Sequence, residues 1–99
     1  MSMDATSAMS LSPISNPANE TIRGVRFSML SGAGLVTVLV THAALDEIEA
    51  SRPHADSYIG RFEKYRDKFE QIANSKHQRG QVELTGAVIL HAGDLGLLG

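Results

Sequence analysis

Three groups of residues in this sequence are of types that can carry chemistry: a Gly-x-Gly, four histidines, and a segment dense in lysine and arginine. The Gly-x-Gly, Gly32-Ala33-Gly34, lies between two apolar runs. A loop that cradles phosphate needs glycine N–H groups followed by the positive end of a helix. The run after Gly34, "LVTVLVT", is β-branched and without a helical period, and it reads as a strand. A lone Gly-x-Gly is a weak signal, and here it reads as the bend of a hairpin.

His42, His54, His77 and His91 fall in different elements, and no two stand at i, i+4. A zinc site needs three or four converging ligands, usually advertised by close His or Cys pairs. The spacing points instead to surface or turn histidines, with Asp46 and Asp94 the acids nearest His42 and His91 in sequence. No Gly-x-Ser-x-Gly elbow is present, and the pairs Asp46/Glu47 and Glu63/Asp67 occupy exposed helical positions. The reading assigns no catalytic residue, no metal and no cofactor, and expects no enzyme.

Six basic residues lie between Arg61 and Arg79 against Glu63, Asp67 and Glu70. One use for them is phosphate contact, which would make the chain a nucleic-acid-associated regulator acting through Arg61, Lys64, Lys68 and Arg79. The plainer use is a solvated helix face laced with pairs such as Arg66–Glu70, worth about 0.2–0.5 kcal/mol each.

The elements that would position these residues fit in one domain, since the chain has 99 residues. Its 42% hydrophobic and 20% charged content is that of a soluble globular chain. A net charge of -2 gives no global pull towards nucleic acid or an anionic membrane. Cysteine is absent, which excludes disulfides and thiolate chemistry and fits a reducing cytoplasm. No apolar run approaches the length of a membrane span.

Residues 1–21 carry five serines and two prolines but no lysine or arginine, and they read as a disordered N-terminal tail. They lack the basic start and continuous apolar stretch of a secretory signal. Residues 22–99 then form a single α+β domain.

Within that domain "IRGVRFSML" alternates as a half-buried strand and pairs with "LVTVLVT" across Ser31–Gly34. Thr41 is placed to cap a short helix, "HAALDEIEAS", which Arg52-Pro53 ends. A longer helix from about residue 55 to 79 carries the stripe Tyr58, Phe62, Tyr65, Phe69 and Ile72, and Gly80 stops it. Val88–Leu90 form a C-terminal strand, and Val82–Leu84 are the candidate partner that would make it a hairpin. The order is β-β-α-α-β, a small antiparallel-rich sheet packed on helices.

The hairpin strand with Val25 and Phe27, "VTHAAL" at 40–45, "F..YR..FE.IA..K" at 62–76 and "G.VIL...DL" at 86–95 stand in an order that resembles a small bacterial family, DUF1488. The similarity spans most of residues 23–95, and its motifs are short. It implies a compact α+β domain in a bacterial cytoplasm and no known catalytic residue. Members of that family often have cysteine where this chain has Val38, so thiol chemistry shared among them would not extend here.

The strands themselves carry the functional expectation. Val36, Val38 and Val40 occupy one face of the second strand; Leu35, Thr37 and Leu39 occupy the other. A strand apolar on both faces is normally covered on both, and one helical layer covers only one. The leading expectation is therefore a non-catalytic interaction or regulatory domain that self-associates as a homodimer through Leu35, Thr37, Leu39, Ile89, Leu97 and Leu98.

Overall fold

The computed structural model describes residues 11–32, 34–48 and 57–98. The elements are β1 (Ser12–Pro13), β2 (Asn19–Glu20), β3 (Gly24–Ser31), β4 (Gly34–Thr41), α1 (His42–Ile48), α2 (Tyr58–Lys64), α3 (Arg66–Gln78) and β5 (Val88–Leu90), then a 3₁₀ helix over Ala92–Leu98. The fold is α+β, as expected: a mixed, mostly antiparallel sheet with helices packed on one face.

The Gly-x-Gly segment is a hairpin bend. β3 and β4 pair antiparallel from Gly24↔Thr41 to Ser31↔Gly34, and Gly32 takes φ 57°, where a turn favours glycine. Thr41 caps α1 as expected, its hydroxyl oxygen accepting from Ala44 N at 3.2 Å. The same hydroxyl donates to Leu90 O at 3.1 Å, which ties the start of α1 to the end of β5.

β5 lies parallel to β4, with Leu39 opposite Ile89. A parallel neighbour requires a long crossover, and the three helices supply it. The hairpin alternative does not form. Val82–Leu84 enter a tight turn closed by Gly86 N on Glu83 O (2.8 Å) and Glu83 N on Ala87 O (2.8 Å), with Gly86 at φ 90°.

The helices differ from expectation in one place. The long helix is broken at Tyr65, whose backbone (φ -115°, ψ 20°) ends α2 and opens α3. Across the break Phe62 and Phe69 both lie in the core, with ring centroids 5.8 Å apart, while Phe62 meets Phe27 of the sheet at 4.9 Å. The first helix is seen to Ile48; its expected end at Arg52-Pro53 and the expected start of the second near residue 55 lie outside the described residues.

Of the expected tail, residues 1–10 lie outside the described residues, whereas 11–21 are built into the sheet. β1 pairs with Leu30 and Met29, and β2 with Arg26 and Val25. Between them the Asn16 carboxamide accepts from Ser28 N (3.1 Å) and donates to Ser28 O (3.0 Å), doing for β3 what a strand peptide would do. Leu11 enters the core, and its N–H donates to Asn74 Oδ1 on α3 at 2.8 Å.

Register fixes the two faces of the sheet. Val25↔Val40 and Phe27↔Val38 lie on the inner face, which with Met29, Val88 and Leu90 packs on Leu45, Phe62, Phe69 and Ile72. The opposite face carries Arg26↔Leu39, Ser28↔Thr37 and Leu30↔Leu35.

Candidate functional site

The opposite face holds a groove of about 490 Å³. Leu39 forms its floor at 8% exposure, with the half-buried Ile89 beside it on β5. Two tight turns wall it. On one side Thr21–Gly24 joins β2 to β3, pinned by Thr21 N donating to Gly24 O at 2.6 Å and by Thr21 Oγ1 accepting from Gly24 N at 3.2 Å. On the other stands the 83–86 turn that leads into β5.

Each turn holds a large apolar side chain out in solvent. Ile22 is 91% exposed, Leu84 fully so, and Leu35 on the adjoining part of the face 69%. Scattered single apolar residues are ordinary on a surface; three beside an apolar groove form a patch of the kind that marks an interaction site.

Charge is divided across the groove. Arg23 and Arg26 lie on the β3 side and Glu83 on the β5 side, all three exposed. Among the described residues no ion pair involves any of them, whereas Arg66 pairs with Glu63 (3.6 Å) and Glu70 (3.1 Å) on the helical layer.

Of the residues expected to mediate self-association, the structure brings Leu35, Thr37, Leu39 and Ile89 onto this one face. The side chains of Leu97 and Leu98 lie outside the described residues. Ile22, Arg23, Arg26, Glu83 and Leu84 were not legible as part of such a surface. The alternation of Val82 and Leu84 reads as a strand, and only the turn at Gly86 turns Leu84 outward.

The basic-helix residues separate. Lys64, Lys68 and Arg79 are exposed, but Arg61, expected at the surface, is 2% exposed. Its guanidinium donates to Asp46 Oδ1 at 3.0 Å and Leu45 O at 3.4 Å, joining α2 to the C-terminal part of α1. One nitrogen, Nη1, serves both the carboxylate and a carbonyl near the helix end, and the weakly hydrated guanidinium tolerates burial better than an ammonium would. Arg61 therefore cannot reach a phosphate outside the molecule without giving up both contacts.

Among the described residues the histidines form no cluster. His42 stacks on Tyr58 (centroids 4.4 Å apart) with Nε2 4.0 Å from Glu20 Oε2, while His77 lies on α3 and His91 precedes the 3₁₀ helix. Burial raises the Tyr58 phenol above its ordinary value, and the neighbouring Asp46 carboxylate, which accepts from its hydroxyl at 3.4 Å, adds to the rise. Among the described residues no group of three His, Asp or Glu side chains could hold a metal ion. His54 lies outside the described residues.

A part-buried ion pair joins α3 to β5 and the 3₁₀ helix. Lys76 Nζ donates to Asp94 Oδ2 and to Ile89 O, each at 2.7 Å, and His91 N donates to the same Asp94 oxygen at 2.7 Å. Burial alone would push Asp94 upward. The hydrogen bonds from Lys76 and His91 N and the adjacent positive charge outweigh it, so its carboxyl lies below the usual aspartate value.

Fold and site together define a small α+β domain whose helices cover one sheet face and whose other face is a grooved, partly apolar surface. The chain belongs to the DUF1488 family, described as "Protein of unknown function", whose model matches residues 15–90. Its fold is similar to the crystal structure of a DUF1488-family protein of unknown function from Shewanella loihica PV-4, with a TM-score of 0.70 and 13% sequence identity over 84% of this chain and 93% of that one. No curated protein matches the sequence. Among the described residues no helix is long and apolar enough to cross a membrane.

Proposed function

We propose that this chain is a non-catalytic interaction or regulatory domain that self-associates as a homodimer through its open sheet face. The observation that carries the reading is the exposure of Ile22 and Leu84 beside a groove floored by Leu39, with Leu35 exposed further along β4, on the one face the helices leave bare. Burying such a patch against a second copy yields about 25 cal/mol for each Å² of apolar surface removed from water.

The face favours a second copy over lateral strand pairing. β5 has only three residues, and Lys76 shields it by donating to the Ile89 carbonyl. At the other margin β1 and β2 have two residues each, with Pro13 inside β1. Short, charged or proline-bearing edges are poor templates for another strand. On this reading the domain works in the bacterial cytoplasm, in keeping with its lack of cysteine.

The alternative, phosphate contact through the basic helix, retains Lys64, Lys68 and Arg79 as exposed cations but loses Arg61 to the interior. The test of the leading reading is the mass of the full chain in solution by light scattering, at about 50 µM, a concentration that populates dimers of micromolar affinity. Twice the chain mass is expected. A mass equal to one chain overturns the reading.

A further inference from the structure

The placement of charge on the open face says how a second copy would sit. Leu39 on β4 is central. Arg26 on β3 and Arg23, in the turn at the Thr41 end of β4, lie to one side of it, and Glu83, in the segment entering β5 towards the Thr37 end, lies to the other, so the two charges occupy diagonal corners. Ile22 stands on the arginine side and Leu84 on the glutamate side.

Two copies related by a two-fold axis and packed face to face must have that axis in the plane between them. Within that plane, an axis oblique to the strands, perpendicular to the line from the arginines to Glu83, exchanges these two corners. Each arginine pair then faces a glutamate, Ile22 meets Leu84, and Leu39 meets its own counterpart. An axis along that line instead sets arginine on arginine and glutamate on glutamate, so charge decides between them.

We infer that the homodimer is an isologous face-to-face pair whose two-fold axis crosses β4 obliquely near Leu39, with Arg23 and Arg26 of each copy opposite Glu83 of the other. This rests on the self-association reading and deepens it by naming the contact. Pairing arginine with a carboxylate across the interface supplies directional, charge-assisted hydrogen bonds that leucine and isoleucine alone do not.

The test is a charge exchange on the full chain, read by sedimentation velocity. One variant carries Arg23→Glu with Arg26→Glu, and the other carries Glu83→Arg. All three side chains are exposed, so the fold should persist, which far-UV circular dichroism checks. Each variant alone is expected to self-associate about tenfold or more weakly than the unaltered chain. An equimolar mixture of the two, one carrying a fluorophore, is expected to form the mixed pair with affinity restored.

If the unaltered chain dimerises but the mixture recovers nothing, or neither variant is weakened alone, the charge pairing is overturned and the face-to-face reading survives. If the unaltered chain has the mass of one copy, self-association itself falls, and the pairing with it.

Discussion

At the scale of single residues, the least replaceable position is Gly24. It opens β3 opposite Thr41 with φ 153°, and a Cβ there would collide with the Val40 carbonyl oxygen and crowd the Thr41 Cα. Backbone on the neighbouring strand cannot step aside as a flexible side chain can. Gly24→Ala is therefore expected to cost about 3 kcal/mol or more, combining an unfavourable φ with a backbone clash, read as a lower midpoint in urea unfolding. Gly32, also at positive φ but with open space where a Cβ would go, makes the comparison: alanine there should cost about 1 kcal/mol, from conformation alone. The sequence marks both positions only as glycine. The difference between them comes from the antiparallel register, which brings β4 against one and leaves the other at a tip.

At the scale of elements, the join between α3, β5 and the 3₁₀ helix is electrostatic. Asp94 is held below its ordinary value, so the folded state favours its charged form. A carboxyl depressed in this way adds stability that is complete above its unfolded value and is lost as pH falls through the folded one. The domain should thus lose stability on acidification from about pH 4 downward. In Asp94→Asn that part of the acid slope should be missing, although the variant is less stable at neutral pH because Lys76 is left buried without its carboxylate. Thermal melts of both proteins between neutral pH and about pH 3 check this, and equal acid slopes would refute it.

Legibility also divides by element. The β3–β4 hairpin and the Thr41 cap could be read because strict alternation, a turn glycine and a helix-start threonine are local signals. The break at Tyr65 could not, because no proline or glycine announces it and the apolar stripe runs through it unbroken, Phe62 and Phe69 being seven residues apart and on one face. β1 and β2 were hidden for the opposite reason. Each has two exposed residues, and what holds that segment is remote: the Asn16 carboxamide on Ser28 and Leu11 on α3. The candidate surface was legible where it lies on strands and illegible where it lies on turns. A strand's period tells which side Leu39 faces; nothing local tells that Ile22 and Leu84 stand out at turn tips.

At the scale of the whole molecule, one sheet face carries the core and the other the groove. Ile22 and Leu84 contribute little to folding, since both are almost wholly in water. Ile22→Glu combined with Leu84→Glu is expected to leave the melting temperature within what about 0.5 kcal/mol would produce. The same variant should shift the solution mass to one chain. An unchanged dimer mass would move the interface away from this face.

The guarded margins of the sheet have a consequence for the arithmetic of growth. A β-layer that can recruit neighbours sideways has no natural stopping point and drifts toward fibrils. Here two-residue strands and a lysine-shielded terminus discourage that route, while docking across the bare side would use it up in a single step. Such a chain would be finite by construction: crowding it should yield pairs in solution, not threads.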